Sequence, residues 1–240
     1  MRFAIHFSIA MTKIVTIVPA AGGGARMGDA LPKQYRGLNG VPMIFHTLAA
    51  FGGVSRVSNI IVVINADDRH WDDLFASHVA AWKDKIRVAR VGGATRGESV
   101  LNGLRGIADL VADDDWIMVH DAARPCIRGE LIERFLDELT NDQVGGLLAL
   151  PVADTLKLAD DGQRVRRTVD RTNLWRAQTP QMFRYQLLCE ALSTMPNATD
   201  EAEAMEALGY AAKLVAGDSA NIKVTYASDV KLAEIILRGK

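Results

Sequence analysis

The chain is poor in cysteine: Cys126 and Cys189 are its only two among 240 residues. That number excludes a disulfide framework, and their separation does not fit metal-ligand spacing. Both thiols read as packing residues in a reducing compartment, with the cytoplasm as the expected location. The sequence also lacks net charge, with Lys+Arg at 28 against Asp+Glu at 29. Without a broad basic field there is no basis for nucleic-acid binding, so any anion must be met locally. Apolar runs are short, and none reaches the about 18 residues that a membrane span requires. No membrane association is expected.

What is present is ordinary globular composition, 49% hydrophobic and 24% charged, enough for one large core. A single domain is expected over residues 11–240. The opening "MRFAIHFSIAM" faintly resembles a signal peptide, but His6 and Ser8 interrupt its apolar run. No convincing small-residue cleavage site follows, so residues 1–10 read as an N-terminal extension with Met11 as the working start.

Short β-rich apolar runs recur at residues 14–18, 59–64, 86–91, 116–120 and 144–151. Helical periodicity fills the intervals at 42–51, 68–82, 97–107 and 129–139. Strand alternating with helix implies an α/β fold, a Rossmann-like and mostly parallel sheet with helices on both faces. Ligands of such sheets bind beyond the carboxyl ends of the strands, which is where functional residues are expected. After Pro151 the pattern changes. Polar and apolar residues alternate on both sides of Asp160-Asp161-Gly162, predicting a protruding β-hairpin arm at about 152–170. An isolated two-stranded ribbon is marginally stable, so the arm is expected to pack against a second subunit in a homodimer. Helices are then expected at 185–193, 200–208 and 228–237.

The stretch "PAAGGGARMGDALPKQ" at 19–34 follows the first strand and places Gly22, Gly23 and Gly24 in a row. Glycines there let backbone N–H groups approach a phosphate, with Arg26 and Lys33 adding positive charge. The pattern is neither of two familiar alternatives. Gly28 is followed by Asp29 rather than by the Lys of a Walker loop, and the spacing to Gly28 is one residue too long for a dinucleotide fingerprint.

With "GGATRGESV" at 92–100, "VHDAARP" at 119–125, "PVADTLK" at 151–157, "TVDRTNLWRAQTPQ" at 168–181, "TDEA" at 199–202 and "NIKVT" at 221–225, this loop resembles the signature set of a nucleotidyltransferase family. The family is that of the 2-C-methyl-D-erythritol 4-phosphate cytidylyltransferases, and the likeness runs from about Met11 to Arg238. It implies transfer of CMP from CTP to a polyol phosphate in non-mevalonate isoprenoid synthesis, with Mg²⁺ or another divalent cation. The implied catalytic set is Arg26, Lys33, Asp121, Arg171 and Lys223. CTP would be held by Ala20, Ala21, Gly22, Gly23, Gly24, Arg26, Lys33, Gly93, Ala94, Ser99, Asp121 and Ala122. Within that set, main-chain groups near Ala94 would read cytosine and Asp121 would meet the metal. By position alone Ser99 also reads as a helix-start hydroxyl, and His120 reads as a packed residue.

The resemblance further implies that the second substrate lies at the dimer interface. Arg171 and Lys223 would meet its phosphate from one subunit, with Thr179 and Thr199 supplying hydroxyls. Arg124 and Thr155 would reach in from the other, and Asp170 would orient Arg171. The arm and "YASDV" at 226–230 depart from the commonest family wording. A fused form with a second catalytic domain does not fit 240 residues, so a monofunctional enzyme is expected. Two alternatives remain at this level: a ribitol-5-phosphate cytidylyltransferase of the same fold, and a nucleotide-binding protein without turnover.

Overall fold

The computed structural model describes residues 12–22, 31–78 and 81–239. The central strand β1 (Ile14–Pro19) leads to a small antiparallel pair, β2 (Gly37–Leu38) and β3 (Val41–Pro42), and then to α1 (Met43–Gly52). There follow β4 (Asn59–Val63), α2 (Trp71–Ser77), β5 (Ile86–Ala89), α3 (Arg96–Arg105), β6 (Trp116–Val119), α4 (Gly129–Leu139) and β7 (Gly145–Pro151). The hairpin strands β8 (Leu156–Ala159) and β9 (Val165–Val169) precede β10 (Trp175–Arg184), α5 (Tyr185–Thr194), α6 (Glu201–Ala207), β11 (Lys213–Ala216) and α7 (Ala227–Arg238).

Seven strands form one sheet in the order β11-β7-β10-β6-β1-β4-β5. Alternation along the central strands explains why both faces are covered. Ile14 and Val18 of β1, Ile60 and Val62 of β4, and Trp116 and Met118 of β6 join one core, with α1 and α4 over it. Val15 and Ile17, Ile61 and Val63, and Ile117 and Val119 join the other, beneath α3, α5 and α6. The period of two along each strand thus divides a continuous apolar run between two cores. Helix α4 meets its core through Leu131, Ile132, Phe135, Leu136 and Leu139, one stripe at helical spacing.

Strands β1, β4, β5 and β6 pair in parallel, as the alternating pattern predicts. Strand β10 was not foreseen. It runs antiparallel between β6 and β7, with a register shift between Ala177 and Gln181. Its sequence hides this, because Pro180 interrupts the run and Gln178, Thr179 and Gln181 are polar yet buried. Strand β11, only four residues long and parallel to β7, also escaped the periodicity. Helix α2 is shorter than the expected 68–82. Asp68 accepts the N–H groups of His70 and Trp71 at its start, and Ser77 turns its hydroxyl back onto Asp73 and Leu74 carbonyls at its end.

The hairpin is present: β8 and β9 pair antiparallel as a separate two-stranded sheet. Its turn is closed by Asp160, whose carboxylate accepts the Arg164 N–H, and Gln163 takes the left-handed conformation at φ 58. Both strands are largely exposed, including Val165 at 63%.

Close approach fixes the sheet's far edge. A Cβ at Gly146 would sit 2.1 Å from the Lys213 carbonyl oxygen and 3.1 Å from a Leu139 methyl. Gly146→Ala must therefore push β11 away from β7, and the expected loss is about 1–3 kcal/mol in unfolding free energy. Urea denaturation measures it; a variant as stable as the parent would show that this edge yields without cost.

Candidate active site

A cavity of about 490 Å³ opens at the carboxyl ends of β1 and β6. Its wall begins where β1 ends, and the backbone there is pinned before the glycine-rich loop departs. Ala20 donates its N–H to the Val63 carbonyl. The carbonyls of Ala20 and Ala21 accept from the Gln34 and Asn65 side-chain amides at 2.6 and 2.7 Å. Gly92 must be glycine for this packing, since a Cβ there would lie 2.4 Å from that of Ala21. At Gly22, by contrast, no described atom lies within 4 Å of a Cβ position. Gly23, Gly24 and Arg26 lie outside the described residues.

Ala20, Ala21, Gly22, Lys33, Gly93, Ala94, Ser99, Asp121, Ala122 and Lys223 all line the cavity. Lys33 enters from a turn of 3₁₀ helix over Lys33–Tyr35, and its ammonium donates to the Val224 carbonyl at 3.3 Å. Helix α3 points its amino end into the same space. Its cap is Thr95, which accepts the Glu98 N–H, so Ser99 is not the capping hydroxyl. Ser99 is buried instead, accepting the Gly93 N–H at 3.0 Å and donating to the Thr95 carbonyl. The Ala94 N–H donates to the Glu98 carboxylate at 2.7 Å. A base edge reading that amide must displace Glu98.

Asp121 follows β6 and is only 7% exposed. One oxygen accepts from Arg96 Nε at 2.8 Å and the other from Lys223 Nζ at 2.7 Å. Burial pushes its pKa up, but Arg96 and Lys223 outweigh burial and hold the carboxyl well below the usual carboxylate range. Arg96 also grips Glu201 with both terminal nitrogens, at 2.7 and 3.1 Å. Burial would weaken the Arg96 charge, yet Glu201 and Asp121 more than reverse that.

Beneath Asp121 the hydrogen bonds form a chain whose direction can be assigned. His120 is fully buried against Phe51. Burial lowers its pKa to about 3, against the opposing pull of Asp121, so the ring is neutral at pH 7. Its Nε2 faces the Arg124 carbonyl, which can only accept, so the proton is on Nε2 and Nδ1 is an acceptor. Nδ1 then takes the Thr179 hydroxyl proton at 3.1 Å, leaving Thr179 to accept the Asp121 N–H. Thr179, expected as a substrate hydroxyl, is 4% exposed and holds the Asp121 backbone.

The remaining expected residues lie outside the cavity lining. Arg124 donates to the Asn221 and Ala177 carbonyls of its own chain. Thr199 gives its N–H and hydroxyl to Glu203, beside Asp200, which caps α6. Thr155 and Arg171 flank the two arm strands and are exposed, with Arg171 donating to the Ala153 carbonyl. Asp170 does not orient Arg171: its carboxylate accepts the Thr172 N–H and hydroxyl instead, a local turn that the sequence order favours.

The sequence reading missed the two charged residues that complete the Asp121 network, Arg96 and Glu201, as well as the lining residues Pro19, Gln34, Thr95, Ala123 and Thr225. A signal for Arg96 existed. An arginine in the first turn of α3 opposes the helix dipole, which calls for a compensating anion nearby. For Glu201 no such signal exists, because an acid in the first turn of a helix is ordinary.

Comparison with known proteins accords with this geometry. A sequence model of the 2-C-methyl-D-erythritol 4-phosphate cytidylyltransferase family matches residues 14–239. The chain is 52% identical over 231 residues to the 2-C-methyl-D-erythritol 4-phosphate cytidylyltransferase of Nitrosomonas eutropha, covering 95% of this chain and 98% of that protein. It is 53% identical over 230 residues to that of Dechloromonas aromatica, covering 96% and 100%. Among solved structures, a 4-diphosphocytidyl-2C-methyl-D-erythritol synthase superposes with a TM-score of 0.83 at 37% identity over 94% of this chain and 99% of that one. The cytidylyltransferase of Francisella tularensis gives 0.77 at 33% over 94% and 100%. By full-length sequence match and by fold, the chain belongs to the 2-C-methyl-D-erythritol 4-phosphate cytidylyltransferase family.

Proposed function

We propose that the protein transfers CMP from CTP to 2-C-methyl-D-erythritol 4-phosphate, releasing pyrophosphate and forming 4-diphosphocytidyl-2-C-methyl-D-erythritol. The observation that carries this reading is the convergence of Ala20, Ala21, Gly22, Lys33, Gly93, Ala94, Asp121 and Lys223 on one cavity in a chain of this family. An oxygen of the acceptor phosphate attacks the α-phosphorus of CTP, a new P–O bond forms, and the bond to the β-phosphate oxygen breaks. A phosphate monoester has its second pKa near about 6, so the attacking oxygen is already deprotonated at pH 7. No general base is needed.

The protein's part is then positioning and charge. Lys33 supplies positive charge toward the α-phosphate, and Lys223 toward the acceptor phosphate. Asp121, kept ionised at the pocket floor, gives an oxygen to substrate or metal. Among the described residues no group of three or more His, Cys, Asp or Glu side chains could hold a metal. A single carboxylate fits Mg²⁺, which commonly takes one or two carboxylates and completes its shell with phosphate oxygens and water. Bound there beside Asp121, the ion would neutralise charge on the triphosphate.

The exposed arm supports a homodimer in which Arg124 and Thr155 serve a neighbouring site, while Arg171 and Lys223 meet the acceptor phosphate from the other subunit. Among the described residues no helix is long and apolar enough to cross a membrane. The buried Cys126 and partly buried Cys189 support a reducing, cytoplasmic setting.

The deciding assay is divalent-cation-dependent pyrophosphate release from CTP with 2-C-methylerythritol 4-phosphate and ribitol 5-phosphate offered in parallel. Release with the first alone is expected. Release with ribitol phosphate alone would transfer the reading to the sister activity, and CTP binding with no release would favour a non-catalytic protein. Lys33→Ala is expected to lower kcat on the order of 100-fold or more while changing CTP affinity much less; a near-normal rate would remove Lys33 from the mechanism. Mixing inactive Arg124→Ala and Arg171→Ala chains under verified subunit exchange should restore part of the activity. No recovery would argue against shared sites.

A further inference from the structure

We propose that Arg96, held in a two-bond fork by the buried carboxylate of Glu201, is the positioning residue that fixes Asp121 and leaves its Lys223-facing oxygen as the one presented to ligands. The inference rests on the cytidylyl-transfer reading of the cavity. Its starting point is the division of labour on one guanidinium. Nε bonds Asp121 at 2.8 Å, while the two terminal nitrogens bond the two oxygens of Glu201. A guanidinium is planar, so fixing two of its nitrogens fixes the direction of the third.

Joining α3 to α6 requires only the fork to Glu201. The bond to Asp121 is additional, and it reaches the one acidic side chain among the described residues that line the cavity. Burial supports the same division. Glu201 is fully buried, whereas Arg96 is 27% exposed and faces the cavity. The partner on the other oxygen differs in kind: Lys223 is a single ammonium on a flexible stem, 42% exposed. Of the two Asp121 oxygens, one is therefore locked by a guanidinium anchored on buried Glu201 and the other by a group that can move aside. Glu201 also balances the Arg96 charge, so Arg96 grips Asp121 without adding an uncompensated positive charge at the amino end of α3.

The test separates positioning from mere support of the fold. Replacing both partners by apolar side chains of similar length, Arg96→Met with Glu201→Met, removes a buried ion pair without leaving one charge alone, a change that proteins often tolerate. With wild-type-like thermal unfolding, the double variant is expected to bind CTP within about threefold of wild type yet to turn over about 100-fold more slowly, the scale of a misplacement near 1 Å. A stable double variant whose kcat stays within about threefold of wild type would overturn the proposal. Arg96→Lys keeps the charge but cannot span both carboxylates. It is expected to lower kcat about tenfold or more with KM for CTP little changed, and an undiminished kcat in this variant would overturn the proposal even if the double variant failed to fold. Wild-type enzyme assayed beside them separates the two failures. Silence from the wild type would reject the reaction and the role with it, whereas an active wild type with undiminished variants rejects only the role.

Discussion

A carboxylate at the floor of a cavity, nearly sealed from water, cannot stay charged by itself. Asp121 sits at the carboxyl end of β6, and each of its oxygens is met by a cation from a distant part of the chain. One of those cations, Arg96, must be compensated in turn by fully buried Glu201. Four charges thus sum to zero around one point, and the segments that carry them are held where charge balance requires. The amino ends of α3 and α6, the turn after β6 and the segment beyond β11 all meet there. Breaking one member strands a buried charge, which is why such networks constrain geometry even where they contribute little net stability.

The neutral layer below is equally directional. His120, Thr179 and the Asp121 N–H form a chain in which each proton has one place to go. That chain explains why polar residues occupy β10 at the centre of an otherwise apolar sheet. Thr179 serves the backbone at Asp121, and Gln181 serves α6 by accepting the Ala202 N–H and donating to Asp200. The antiparallel strand therefore ties the two carboxylate-bearing regions, the turn of Asp121 and the start of α6 with Glu201, to the sheet. Side-chain amides do the corresponding work at the end of β1, where Gln34 and Asn65 pin the carbonyls that precede the glycines.

The parallel core was legible because its physics is local. Runs such as "IIVVI" are apolar on both faces, helical stripes fill the gaps, and the glycine-rich loop falls where the first strand ends. The hairpin was legible from Asp160-Asp161-Gly162, whose turn chemistry needs no tertiary help. Strand β10 was not, since Pro180 and its buried glutamines contradict the periodicity of a central strand. The site divided in the same way. Lys33, Asp121 and Lys223 stand in recognisable motifs and reach the same cavity. Thr179, drawn from an equally recognisable motif, points its hydroxyl inward to the protein, and Asp170 serves Thr172 rather than Arg171.

By itself the sequence determined the alternation of strand and helix, the position of the glycine-rich loop, the arm, and the set of motifs that marks the family. Each of these depends on residues close together in the chain, through periodicity, turn preference or backbone freedom. Only the tertiary structure decided which oxygen of Asp121 faces Arg96 and which Lys223, that Glu201 lies behind Arg96, and that β10 divides the sheet. The charge pairs among them join residues from 25 positions apart, Arg96 with Asp121, to 105, Arg96 with Glu201, and charge pairing at such separations leaves no periodic trace in a single sequence.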